Sequence, residues 1–194
     1  MTHIISKDDL KIKDTDTDSI LRCVRAKDCE ELLPLIRECV DESRSCLDYR
    51  VCYAIFPLEV RDNECKIGDF SVFSRDLAKH LNGCKEALIF AATLGSRFDR
   101  LISRYSLTAP SKALMLQGVG TERIESLCDA FCALAKSRHS TATGRFSAGY
   151  GDMSLECQKD IFRALMCEKN IGLTLNKSLM MSPSKSVTAV IGIK

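Results

Sequence analysis

Apolar runs of strand length alternate irregularly with helical patterns, and this order constrains the fold more than any other feature. Residues 51–56, ending at Pro57, 87–93 and 186–193 predict strands, and 58–72 predicts a hairpin that turns near Asp62-Asn63. Apolar spacing and capping residues predict helices over 19–26, 29–46, 74–81, 96–105, 110–137 and 153–169. Because a regular strand–helix–strand rhythm is absent, we expect an α+β fold with a mixed or antiparallel twisted sheet flanked by helices.

The longest predicted helix, 110–137, has one apolar face that includes Leu116, Ile124 and Phe131. Gly118 and Gly120 lie inside it. Each glycine costs about 1 kcal/mol relative to alanine in a helix interior. We therefore expect another part of the chain to pack closely against the helix backbone at these two positions.

Length and composition indicate a single globular domain. The chain has 194 residues, of which 45% are hydrophobic and 28% charged, and a chain of this size buries about 70% of its unfolded surface. We expect a polar, solvated leader over 1–18 and one domain over 19–194. The formal net charge of +2 is small, so neither nucleic acid nor a membrane is an expected partner.

Eleven cysteines are an unusually high and odd number for a chain of this length. The N-terminus does not resemble a signal peptide, and no apolar run reaches transmembrane length, so reduced cysteines of a cytoplasmic protein are expected. No Cys-x-x-Cys occurs, and Cys128 and Cys132 lack a third cysteine at the required spacing, which argues against an iron–sulfur cluster or a zinc ribbon. The three dispersed histidines are expected on the surface.

Residues 144–152, Gly-Arg-Phe-Ser-Ala-Gly-Tyr-Gly-Asp, form the first candidate for a functional segment. Gly149 and Gly151 allow a ligand to approach the backbone closely. Arg145 can bind a carboxylate through two parallel hydrogen bonds, and Tyr150 offers a flat face with a polar tip. A glycine-rich connection without a ligand is the alternative interpretation of this segment.

Two further segments are weaker candidates. Glu125 and Asp129 are one helical turn apart and could receive a cationic group, or could belong to an ordinary solvated face. Met180 and Met181 could border an apolar cofactor or fill the core. The sequence has no Gly-x-Ser-x-Gly elbow and no phosphate-binding Gly-Lys-Ser/Thr loop.

Taken in order, these segments resemble the activation domain of cobalamin-dependent methionine synthase, in its small standalone form. The resemblance covers residues 50–194. The family's Arg-x-x-Pro-Gly-Tyr loop matches Arg145–Tyr150, and its Thr-x-Ser-x-Met-x-Pro stretch is similar to 176–183. Further similarities are found at 89–95, at the Gly118 to Glu125 helix segment and at the 186–189 strand.

The resemblance implies an activation domain-like fold and a role in binding S-adenosylmethionine. The family presents this ligand to cobalamin held by the synthase, and one electron from a flavodoxin-type donor supports reductive methylation of the decayed cofactor. By resemblance, Arg145 holds the methionine carboxylate and Glu125 faces the ammonium group. Ser147 and Ala148 offer backbone hydrogen bonds to the adenosine, and Tyr150 packs beside the ligand or the corrin. Gly149 belongs to the same cofactor-binding loop.

The match has three departures: Ala148 replaces the loop proline, and Asn176 and Lys177 replace a threonine and an acidic residue. One alternative is therefore a module that keeps the fold but binds another ligand or another corrinoid protein. A second alternative, a stand-alone methyltransferase for a small substrate, predicts a deep and closed pocket.

Overall fold

A curled six-stranded antiparallel sheet forms the centre of the computed structural model, which describes residues 1–26 and 29–194. Strands β4, β3, β2, β5 and β8 are neighbours in that order, and β1 pairs with β2 beside β3. A separate small hairpin joins β6 and β7. The strands are β1 (His3–Ser6), β2 (Arg50–Arg61), β3 (Glu64–Ile67), β4 (Phe70–Phe73), β5 (Glu86–Thr93), β6 (Thr174–Leu175), β7 (Met181–Ser182) and β8 (Ser186–Ile193).

Helices cover both faces of this sheet, which confirms the predicted α+β class. The helices are α1 (Thr17–Cys23), α2 (Leu33–Ser43), α3 (Arg75–His80), α4 (Ser96–Tyr105), α5 (Pro110–Arg138), α6 (Cys157–Leu165) and α7 (Cys167–Ile171). We call α1, α2, α4 and α5 the α5 layer, and α3, α6 and α7 the α6 layer. Alternate residues of the strands face the two layers, as Phe90 faces the α5 layer and Ile89 the α6 layer.

The prediction that the first long strand ends at Pro57 is wrong, because β2 continues to Arg61. The adjacent Leu58 donates its N–H to Lys85 on the β5 side. The nitrogen of Pro57 consequently points away from β5 and towards the side of β3. Pairing with β3 begins only at Leu58. The missing N–H therefore interrupts none of the ladder with β5.

The N-terminal segment is less solvated than its composition suggests. His3–Ser6 forms β1, and Ile5 and Leu10 are buried in the core. Its end caps the first helix, since the side chain of Asp16 accepts a hydrogen bond from Asp18 N at the start of α1. Strand pairing makes this segment part of the sheet, which its polar composition does not reveal.

The helix predicted over 153–169 is two helices, because Met166 adopts a left-handed conformation (φ 47°) between α6 and α7. The Asn170 side chain donates to the carbonyl of Leu165 at 2.7 Å and so satisfies one of the α6 carbonyls left open by the break. Helix α2 is also shorter than expected, and a 3-10 turn over Glu30–Leu32 precedes it.

The two glycines of α5 lie where other parts of the chain approach its backbone, as expected from the sequence. A Cβ atom on Gly118 would lie 2.7 Å from Val24 Cγ1, and one on Gly120 would overlap the ring of Phe98. Glycine here allows α1 and α4 to approach α5 closely, and this contact fixes α5 across the sheet.

Candidate functional site

The loop at 144–152 runs along the free edge of β8. Phe146 and Val190 exchange backbone hydrogen bonds of 2.8 Å in both directions, and Thr143 N donates to the carbonyl of Gly192 at 2.9 Å. Among the strands of residues 1–26 and 29–194, β8 pairs only with β5. The loop therefore covers an edge that would otherwise expose unpaired backbone groups.

Helix α3 holds the loop at both ends. The carboxylate of Asp152 accepts hydrogen bonds from Ser74 Oγ, from Arg75 N at 2.9 Å and from Asp76 N at 3.1 Å. The Ser74 hydroxyl and the amides hold the pKa of Asp152 below its ordinary value. At the other end of α3, His80 Nε2 lies 2.8 Å from the carbonyl oxygen of Gly144. His80 is thus a half-buried structural partner of the loop.

Arg145 brings together two candidates that the sequence presents separately. Its guanidinium forms an ion pair with Glu125 and lies 3.4 Å from Asp129, both on α5. Burial lowers the pKa of Arg145, but the neighbouring Cys128, Glu125 and Asp129 outweigh this effect and raise it, so the group stays charged. Because the Arg145 side chain is only 26% exposed, the pair is partly shielded from solvent.

These residues border an open pocket of about 290 Å³, near the lower end of the sizes typical of ligand pockets. Five of the six predicted site residues line it, namely Glu125, Arg145, Ser147, Ala148 and Tyr150. The sixth, Gly149, forms the turn below them with φ +88°, and its N–H donates to the carbonyl of Met153. Of the two methionines, Met181 lines the pocket and Met180 is exposed. Tyr150 is 69% exposed, so the pocket is not the deep, closed one that a stand-alone methyltransferase requires.

Sequence reasoning missed two polar residues at the floor of the pocket, Gln158 and Thr188. Both side chains are buried, with relative exposures of 5% and 2%. Within the described parts of the chain, Gln158 Oε1, Thr188 Oγ1 and Arg145 Nη1 are buried without a hydrogen-bond partner. Such groups are rare because burying an unpaired polar atom is unfavourable. The sequence does contain one signal of this burial: the spacing of Gln158 from Ile161 and Leu165 puts it on the apolar face of α6.

The cysteines near the pocket are poor nucleophiles. Cys128 is fully buried on α5, and burial raises its pKa to about 12. In residues 1–26 and 29–194, no cluster of three or more histidine, cysteine or acidic side chains could hold a metal ion. No helix in the same ranges is both long and apolar enough to cross a membrane.

The sequence matches no protein-family model and no curated protein. In structure, the chain is similar to the MetH reactivation domain, whose crystal structure was determined with AdoHcy bound. The TM-score is 0.73 at 14% sequence identity, and the superposition covers 100% of this chain and 78% of that one. The similarity confirms the expected activation domain-like fold.

Proposed function

We propose that the pocket beside Arg145 binds S-adenosylmethionine, and that the chain supports reactivation of cobalamin on a methionine synthase or another corrinoid protein. One observation carries this proposal: a cation and an anion, Arg145 and Glu125, stand together at a pocket in this fold. An amino-acid head group carries one charge of each sign. The MetH reactivation domain, solved with AdoHcy, provides the supporting precedent.

The geometry allows a zwitterionic head group to bind without removing either protein charge. Arg145 uses Nη2 for Glu125 and Asp129, while its buried Nη1 is unpaired among the described residues. Nη1 can donate to a carboxylate, and Glu125 with Asp129 can accept from an ammonium group. The backbone of Ser147 and Ala148 then faces the nucleoside.

The departures from the family's loop motif are compatible with binding. The turn at Ala148 closes without proline, since Tyr150 N donates to the carbonyl of Ser147 at 3.1 Å. Asn176 caps its own hairpin by accepting from Ser178 N and Met180 N at 2.8 and 2.9 Å. Its side chain therefore stabilises the turn between β6 and β7, and it need not contact a ligand.

When bound, S-adenosylmethionine would supply a methyl group on a sulfonium to the one-electron-reduced corrinoid of the partner protein, with AdoHcy as the leaving group. The task of this chain is to orient the ligand, and correct orientation alone lowers a barrier substantially. Tyr150 lines the pocket and is 69% exposed, so this rim is free to contact a corrinoid protein. An electron donor of the flavodoxin type would act on that complex.

Calorimetric titration with S-adenosylmethionine and with AdoHcy tests the binding step. We expect saturable binding to the purified chain and a loss of at least about tenfold in Arg145→Ala, because a charge-assisted hydrogen bond contributes about 1.5–3 kcal/mol. Arg163→Ala is the matched control, since Arg163 pairs with Asp160 at the exposed surface of α6.

A reactivation assay tests the second step, with a cobalamin-dependent methionine synthase that lacks an activation domain. We expect the chain to restore turnover in the presence of S-adenosylmethionine and a reductant. If the wild type does not bind the ligand but associates tightly with a corrinoid protein, the result would favour the alternative in which the chain keeps the fold but binds another ligand or another corrinoid protein.

A further inference from the structure

The floor of the proposed ligand pocket holds two polar side chains that fold stability alone does not require. Gln158 is 95% buried, and across residues 1–26 and 29–194 its buried Oε1 has no hydrogen-bond partner. Thr188 Oγ1 is likewise buried and unpaired there. Gln158 occupies the apolar face of α6, where a methionine would fill a similar volume without an unpaired amide.

These two residues belong to the α6 side of the pocket, whereas the ion pair belongs to its α5 side. Val187 packs against the α5 layer, so the next residue, Thr188, faces the α6 layer, from which Gln158 projects. Arg145 and Glu125 belong to the α5 side of the same strand. The pocket therefore has a charged end at α5 and an uncharged, hydrogen-bonding end at α6.

We infer that Gln158 and Thr188 bind the nucleobase of the ligand and determine its specificity for adenine, an inference that rests on the proposed function. A glutamine amide presents a donor and an acceptor side by side, which matches the exocyclic amine and an adjacent ring nitrogen of adenine. The Thr188 hydroxyl supplies a third group that can donate or accept. Such an edge would give Gln158 Oε1 and Thr188 Oγ1 the hydrogen-bond partners that they lack among the described residues.

If Gln158 and Thr188 bind adenine, substitutions there should change stability and affinity in opposite directions, a combination that a structural role does not produce. In Gln158→Met and in Thr188→Val, the melting temperature of the ligand-free protein should rise by about 2–4 °C, because an unpaired buried group is removed. The same variants should bind AdoHcy roughly tenfold more weakly. Thr93→Val is the matched control and should lower the melting temperature, because Thr93 Oγ1 accepts from Gly95 N and Ser186 Oγ.

A truncated ligand separates the two ends of the pocket. 5′-Methylthioadenosine keeps the adenine but lacks the amino-acid head, so its affinity should fall roughly tenfold in Gln158→Met and stay within about twofold in Arg145→Ala. Gln117→Met, on the exposed face of α5, should leave both ligands unaffected.

Three results would overturn the inference, and they differ in what they say about the proposed function. A lower melting temperature in both floor variants would mean that the protein itself pairs these groups. Unchanged affinity for both ligands in those variants, with AdoHcy binding lost in Arg145→Ala, would leave the proposed function standing without this adenine contact. Absence of binding of either ligand to the wild type would overturn both.

Discussion

The ion pair between Glu122 and Arg123 offers the sharpest test of how the N-terminal segment is attached to the core. Both side chains are nearly inaccessible, with exposures of 5% and 6%. Arg123 donates to both oxygens of Glu122 at 2.5 and 2.6 Å and to the backbone carbonyls of Lys13 and Asp14 at 2.8 and 3.0 Å. A single guanidinium therefore links α5 to the segment between β1 and α1.

We expect Glu122→Gln to lower the free energy of unfolding by about 3–5 kcal/mol, because it leaves a buried guanidinium without its counter-charge. This loss is a large fraction of the ~5–15 kcal/mol that stabilises a typical protein. Arg123→Met should cost a similar amount, since it leaves the Glu122 carboxylate without its counter-charge and two carbonyls without their donor. The double variant Glu122→Leu/Arg123→Met should cost less than the sum, because no unpaired charge remains.

Urea denaturation followed by circular dichroism measures these differences in the free energy of unfolding, provided that its dependence on urea concentration is the same in each variant. Glu59→Gln serves as the control, since its partner Arg61 is 80% exposed and such pairs contribute about 0–1 kcal/mol. A loss below about 1 kcal/mol in Glu122→Gln would refute the reasoning, because it would mean that water reaches the pair and screens it.

Three further outcomes follow from the packing and the side-chain chemistry. Gly118→Ala should destabilise the protein by about 1–2 kcal/mol in the same urea assay, because the steric overlap of the new Cβ with Val24 costs more than the gain in helix propensity. Gly144→Ala is the control and should cost little, because a Cβ there meets only His80, at 3.9 Å. Asp152→Asn should lower the melting temperature at neutral pH. The pKa of Asp152 is lower in the folded state than in the unfolded state, so the stability that its carboxylate contributes is complete above the unfolded-state pKa and is lost as pH falls through the folded-state pKa. The difference in melting temperature between variant and wild type should therefore vanish in acid. A difference that stays constant with pH would contradict this. Brief alkylation at neutral pH, read by mass spectrometry, should modify Cys23 and spare the buried cysteines unless the protein is first unfolded; these are Cys39, Cys52, Cys65, Cys84, Cys128 and Cys167.

The sequence by itself determined the α+β class and most of the elements. Strands β5 and β8 are mostly apolar, and α5 follows a helical repeat that begins at Pro110. These signals are local, because the backbone conformation of a segment depends mainly on its own side chains and on which face it buries. The loop at 144–152 was also recognisable, since its glycines, arginine and tyrosine are contiguous.

Only the tertiary structure decided which distant groups meet. Residues far apart in the chain meet in the ion pair of Arg145 with Glu125 and in the hydrogen bonds from α3 to Asp152. They also meet at the floor of the pocket, where Gln158 and Thr188 have unpaired polar atoms among the described residues. Likewise, β1 is a strand only because β2 offers it an edge. Spacing along the sequence reports which face of an element a residue occupies, whereas the partner across that face depends on how the elements pack, and this packing defines the candidate site.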